Sequence, residues 1–225
     1  MGPSLVNAGI PSGTVLNDPV LELRASDGAL ITSNDNWKDS PQRGQIEGSV
    51  FQPGDDREAV IVATLAPGAY TVILLGKSQT TGVGLVEVYD NNQSADSQLA
   101  NISTRGFVQT GNNVMIGGFI LGGSPNNTRV ALRGIGPSLA QFGINPVLAD
   151  PILELHDGNG TTLVTNDDWE SDPVSAAQLT EVGLGLSNSK ESGILTSLPP
   201  GAFTAILAGK NGTTGIGLIE LYDLR

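Results

Sequence analysis

The second half of the chain alternates apolar and polar positions with period two, in short runs split by turn residues, which is the pattern of half-buried strands. In the run Pro151–Leu155, Leu153 and Leu155 face inward and Glu154 faces outward. Val114–Leu121 and Arg129–Arg133 read as strands on either side of a turn at Pro125-Asn-Asn. Thr161–Thr165 follows Asp157-Gly-Asn-Gly, a strong hairpin signal. Gly193–Leu198 comes next. Ala202–Ala208 is apolar on both faces and therefore central, and Gly215–Tyr222 closes the set. With Phe107–Gln109 these make about eight strands, the size of a β-sandwich. The one helix predicted is Pro173–Glu181, with Asp172 as its N-cap, covering one end of the sandwich.

The same pattern occurs twice. Residues 65–90 return as 198–223 with 17 identities in 26 positions. Upstream, Asp18–Leu23 matches Asp150–Leu155, Ser33–Trp37 matches Thr165–Trp169, and Gly2–Leu5 matches Gly136–Leu139. A period this long marks two copies of a domain rather than a short-repeat solenoid. The copies are unequal, because residues 99–135 have no counterpart before Gly2. The organisation read from this is an incomplete repeat at 1–90, a linker at 91–98 and a complete repeat at 99–225. The expected fold is all-β, with two tandem jelly-roll-like antiparallel sandwiches, the first lacking its opening strands. By the same count the first copy has about five strands, which leaves an open edge and an uncovered apolar face.

Composition narrows the function. Hydrophobic residues make up 39% of the chain, enough for a real core, but aromatics are only 4%, so that core is aliphatic. A net charge of −12 repels a phosphate backbone, which argues against nucleic acid as a partner. No basic cluster suits an anionic membrane surface, and no apolar run is long enough to insert in a bilayer. The absence of cysteine excludes disulfides, thiolate catalysis and thiolate metal sites. Met1 is followed by Gly2 and Pro3, not by the basic and apolar segments of a signal peptide.

Few residues offer chemistry. Asp27 and Asp35 in the first copy match Asp157 and Asp167 in the second, where Asp168 replaces Asn36. Such carboxylates beside glycine turns could hold Ca²⁺, although Asp and Asn also organise turns without a metal. Trp37 and Trp169, the only tryptophans, occupy equivalent places. Exposed, they would stack on a sugar ring; buried, they would plug the sandwich. His156, the only histidine, aligns with Arg24 and reads as a surface residue, so no duplicated Ser-His-Asp site exists. Ser4 and Ser138 lie in Gly-Pro-Ser-Leu rather than in a nucleophile elbow. Glu87 and Glu220 match each other in strands, and no sequence feature places a second carboxylate across a cleft from either.

Asp150–Leu155, Asp157-Gly158, Asn166–Trp169 and Leu198–Thr204 together resemble the pattern of bacterial pre-peptidase C-terminal domains, jelly-roll-like modules appended to secreted enzymes. The whole unit from Leu99, with its stretches ANISTRGFV, GGFIL and GPSLA, resembles a tandem repeat of exported proteins from environmental bacteria. Both resemblances imply an extracellular or cell-surface location and bring no catalytic residue. The expectation is a non-catalytic structural or adhesive module that pairs with itself or with neighbouring repeats, as in a filament built by strand complementation. The alternatives are a module binding extracellular polysaccharide and an accessory domain of a secreted hydrolase.

Overall fold

The structure, a computed structural model, describes residues 1–91, 99–122 and 125–224. The chain divides into two compact units, Met1–Ser97 and Gln98–Arg225. Most of the linker read at 91–98 falls outside the described residues.

Unit 1 contains β1 (Pro19–Ala25), β2 (Leu30–Asn34), the short helix α1 (Arg43–Ile46) and β3 (Tyr70–Gly76). The strands form one antiparallel sheet in the order β2-β1-β3.

Unit 2 contains β4 (Asn101–Val108), β5 (Met115–Leu121), β6 (Thr128–Ile135), β7 (Pro151–Asp157), β8 (Thr162–Asn166), α2 (Pro173–Glu181), β9 (Ser192–Leu198), β10 (Gly201–Gly209) and β11 (Gly215–Asp223). Its strands form two four-stranded antiparallel sheets, β5-β10-β7-β8 and β4-β11-β6-β9. Numbered within the unit these orders are 2-7-4-5 and 1-8-3-6, the interleaving of a jelly-roll sandwich. The core between the sheets is aliphatic, with Leu132, Leu153, Leu155 and Leu207 fully buried and Phe119 stacked on Phe203. Each buried leucine contributes about 1.5–3 kcal/mol from water exclusion. A second cluster, around Trp169, Leu179 and Leu186, lies under α2 on the outer side of β6. The Asp172 carboxylate caps α2 by accepting the Val174 and Ser175 amides, and Pro173 supplies its first position.

Two expectations change. The strand read at Phe107–Gln109 is the end of an eight-residue edge strand, β4. Its first six residues, Asn-Ile-Ser-Thr-Arg-Gly, are too polar to stand out, because one side of an edge strand faces water. The five strands read in the first copy become three. Residues 59–65 and 82–90, counterparts of β9 and β11, form no strand apart from an isolated bridge between Val15 and Val83. In unit 2 both of those strands pair with β6, which lies between them. Among the described residues of unit 1 no strand takes the place of β6, so both segments lack the partner that would define them.

Candidate functional site

At one end of the β7–β8 hairpin, the ends of three neighbouring strands bring together Asp150, Asp167 and Lys210. Lys210 Nζ lies 2.5 Å from Asp167 Oδ2, its amide donates to the Asp150 carbonyl at 2.8 Å, and Lys190 Nζ lies 3.5 Å from Asp150 Oδ2. Unit 1 repeats this. Lys77 Nζ is 2.6 Å from Asp35 Oδ2 and 3.9 Å from Asp18 Oδ2, and its amide reaches the Asp18 carbonyl. The Lys210 ammonium holds the Asp167 carboxyl below its ordinary range, and that hydrogen bond raises Lys210 in turn. Asp168 is pushed up, first by burial and then by the charge of Asp167.

Asp27 and Asp157 lie at the opposite ends of their hairpins. Asp27 Oδ1 accepts the Ala29 amide, and Asp157 Oδ1 accepts the Asn159 and Thr161 amides, each at 2.9 Å. These are Asx turns, and the two amides hold the Asp157 carboxyl low. A five-residue strand separates them from Asp35 and Asp167, about 16 Å at the usual rise. The five carboxylates named as calcium ligands, Asp27, Asp35, Asp157, Asp167 and Asp168, therefore do not come together as one cluster in either copy. The carboxylates are split between two ends of a hairpin, and a lysine ammonium already neutralises one end. Among the described residues no group of three or more acidic or histidine side chains is arranged to hold a metal.

Of the two readings of the tryptophans, the structure places both rings in the packed position. Trp37 is 2% exposed and Trp169 8%, so neither ring offers a face to a sugar. In a chain this poor in aromatics, the largest side chain is used to fill the core under α2. His156 is partly buried. Its Nε2 lies 2.9 Å from Glu154 and its Nδ1 3.2 Å from the Gly160 carbonyl, which is the first cause raising its pKa. Arg24 makes the equivalent contacts, to Glu22 and to the Gly28 carbonyl, so this position ties a carboxylate to the hairpin turn through a nitrogen-bearing side chain in both copies.

The sequence reading missed a pair of fully buried glutamates, Glu58 and Glu191. Glu191 Oε1 accepts hydrogen bonds from the Gly136 amide (3.2 Å), the Ser138 amide (3.0 Å) and Ser138 Oγ (2.5 Å). Glu58 Oε1 takes the same donors from Gly2 and Ser4. The backbone carbonyl of each glutamate accepts the amide of Trp169 or Trp37 at 2.8 Å. Gly-Pro-Ser is thus a clamp on a buried carboxylate. The glycine is required because a Cβ on Gly136 would lie 2.1 Å from the Leu148 carbonyl oxygen. A groove of about 370 Å³ in unit 1 is lined by Thr32, Gln42, Gln45, Val62, Ala63 and Thr64, none of which titrates.

The feature that distinguishes the two copies is the face of unit 1 that lacks strands. Val86 is 38% exposed where its counterpart Ile219 is 4%, and Tyr70 is 36% exposed where Phe203 is 6%. Leu65 and Val88 are exposed with them, and Val62 and Leu85, whose counterparts Leu195 and Leu218 pack in the outer cluster of unit 2, are exposed as well. Glu220 is held by Arg133 of β6, with Nε–Oε2 at 2.8 Å. Its counterpart Glu87 takes a hydrogen bond from Tyr89 Oη at 3.0 Å, and that bond raises the tyrosine pKa.

No family model matches the chain, and no curated protein does. Among solved structures it is similar to the pre-peptidase C-terminal domain of a collagenase from Bacillus anthracis, with 10% identity and a TM-score of 0.34, over 54% of this chain and 89% of that one. It is also similar to the infectious bursal disease virus VP2 subviral particle, with 11% identity and a TM-score of 0.22, over 93% of this chain and 57% of that one. Likenesses this slight transfer no function.

Proposed function

We propose that this chain is a non-catalytic structural module of an extracellular assembly, in which the open face of unit 1 joins it to a neighbouring repeat or a neighbouring copy. The observation that carries this reading is the exposure in unit 1 of Leu65, Tyr70 and Val86, whose counterparts Leu198, Phe203 and Ile219 are buried in unit 2. Exposed apolar surface beside unpaired backbone favours association over solvation. The best-formed chemical groups support the same reading, since the Asp–Lys ties, the Glu58 and Glu191 clamps and the tryptophans all hold the fold together. None of them presents a nucleophile–base pair to solvent. No helix among the described residues is long and apolar enough to cross a membrane.

The test is light scattering with negative-stain electron microscopy across a concentration series. The expected result is association of the chain that weakens when Val86 and Val88 are both changed to lysine. Monomers at every concentration would overturn the reading.

A further inference from the structure

In unit 2, β6 pairs with β11 through Leu218↔Ile135, Glu220↔Arg133 and Leu221↔Leu132, and with β9 through Arg133↔Gly193 and Leu132↔Ile194. Transferred by the repeat, the same strand position in unit 1 is bordered by Leu85, Glu87 and Val88 on one side and by Val60 and Ile61 on the other. One pair of that register already exists. The Met1 ammonium donates to the Leu85 carbonyl at 2.6 Å, and the Leu85 amide donates to the Met1 carbonyl at 2.9 Å. Met1 and Leu85 thus occupy the register that Ile135 and Leu218 share in unit 2. Beyond it the chain enters the Gly2-Pro3-Ser4 clamp on Glu58, as Ile135 leads into Gly136-Pro137-Ser138 on Glu191.

The charge pattern matches as well. Arg133 meets Glu220 and lies 3.2 Å from Tyr222 Oη, and it stacks over the Tyr222 ring. Glu87 and Tyr89 preserve the carboxylate and the phenol. Among the described residues no lysine or arginine side chain forms an ion pair with Glu87.

We propose that unit 1 is an acceptor for a further copy of the opening segment, joined ahead of Gly2, whose arginine two residues before the Met1 position meets Glu87 and Tyr89. This rests on the structural reading above and names the partner of its open face.

The experiment joins a copy of residues 99–135 ahead of Gly2, in place of Met1, and follows hydrogen exchange in residues 59–65 and 82–90. The expected result is protection that rises by about 100-fold or more, as for strands entering a closed sheet. Changing the added arginine to glutamate is expected to remove about tenfold of that protection, through loss of a charge-assisted hydrogen bond. Combining that change with Glu87→Arg is expected to restore it. Exchange in β9 and β11 of unit 2 reports whether the longer chain folds, and a fusion of residues 126–135 alone serves if it does not. Unchanged exchange in a folded fusion would overturn the proposal. Equal protection by a separate peptide of residues 99–135 would overturn covalent entry, and failure of the charge swap would overturn the Arg–Glu87 contact. The association test is made on the original chain, so the two ideas fail separately.

Discussion

Glu191→Ala is the sharpest test of the buried clamp. Glu191 is fully buried, and its Oε1 accepts three donors, of which the Gly136 amide is buried and the two from Ser138 are partly so. Truncation leaves the Gly136 amide unpaired, at about 1–3 kcal/mol, while the Ser138 donors recover some hydration. With the cavity added, the expected loss is about 3–5 kcal/mol. Glu191→Gln keeps an acceptor and is expected to lose less than half as much. Ser138→Ala removes one bond and is expected to cost about 1 kcal/mol. The assay is urea unfolding followed by Trp169 fluorescence in a Trp37→Phe background, so that the signal comes from unit 2. For a unit of this size a loss of about 3 kcal/mol lowers Tm by about 10–15 °C. A Glu191→Ala midpoint within about 1 kcal/mol of the parent would refute the reasoning, because three protein donors would then be released without consequence.

Other outcomes follow from the same geometry. Gly136→Ala drives a Cβ to 2.1 Å from the Leu148 carbonyl oxygen and is expected to cost about 3 kcal/mol in the same unfolding assay. Trp169→Ala is expected to cost about 3–5 kcal/mol, and both tryptophans of the parent should resist acrylamide quenching; a readily quenched ring would restore the sugar-stacking reading. The Lys210–Asp167 tie should stabilise unit 2 only between two limits. A carboxyl held low contributes above its ordinary pKa of 3.8 and loses that contribution as pH falls through its folded value. A raised lysine contributes below 10.5 and loses it as pH rises through its folded value. The stability difference between the parent and Lys210→Met should therefore vanish at both extremes, and a difference independent of pH would contradict the tie.

Much of the fold is legible in the chain. Period-two alternation locates β7 to β11 within a residue or two, and Asp172-Pro173 marks the start of α2 because capping and a fixed φ are local effects. The failures have a common cause in tertiary pairing. Residues 82–90 carry the same alternation as β11, yet they form no strand, because their partner is set by topology and not by their own composition. The Asp residues looked like one cluster since they are close in sequence, but a hairpin sends its two ends apart. Lys77 and Lys210 sat in the repeated block without a role until the strand ends converged on them. Glu58 and Glu191 had a signal available. They align across the repeat immediately before the apolar run, in copies that also both carry Gly-Pro-Ser.

The most direct test of the open face is hydrogen exchange on the chain itself, comparing residues 59–65 and 82–90 with their counterparts 192–198 and 215–223. The amides of unit 2, paired on both sides of β6, should be strongly protected, and those of unit 1 should exchange at rates close to free peptide apart from Leu85 and the residues bonded near it. Equal protection in the two sets would mean that unit 1 closes its second sheet without a β6, and the account of an unfilled strand position would be wrong.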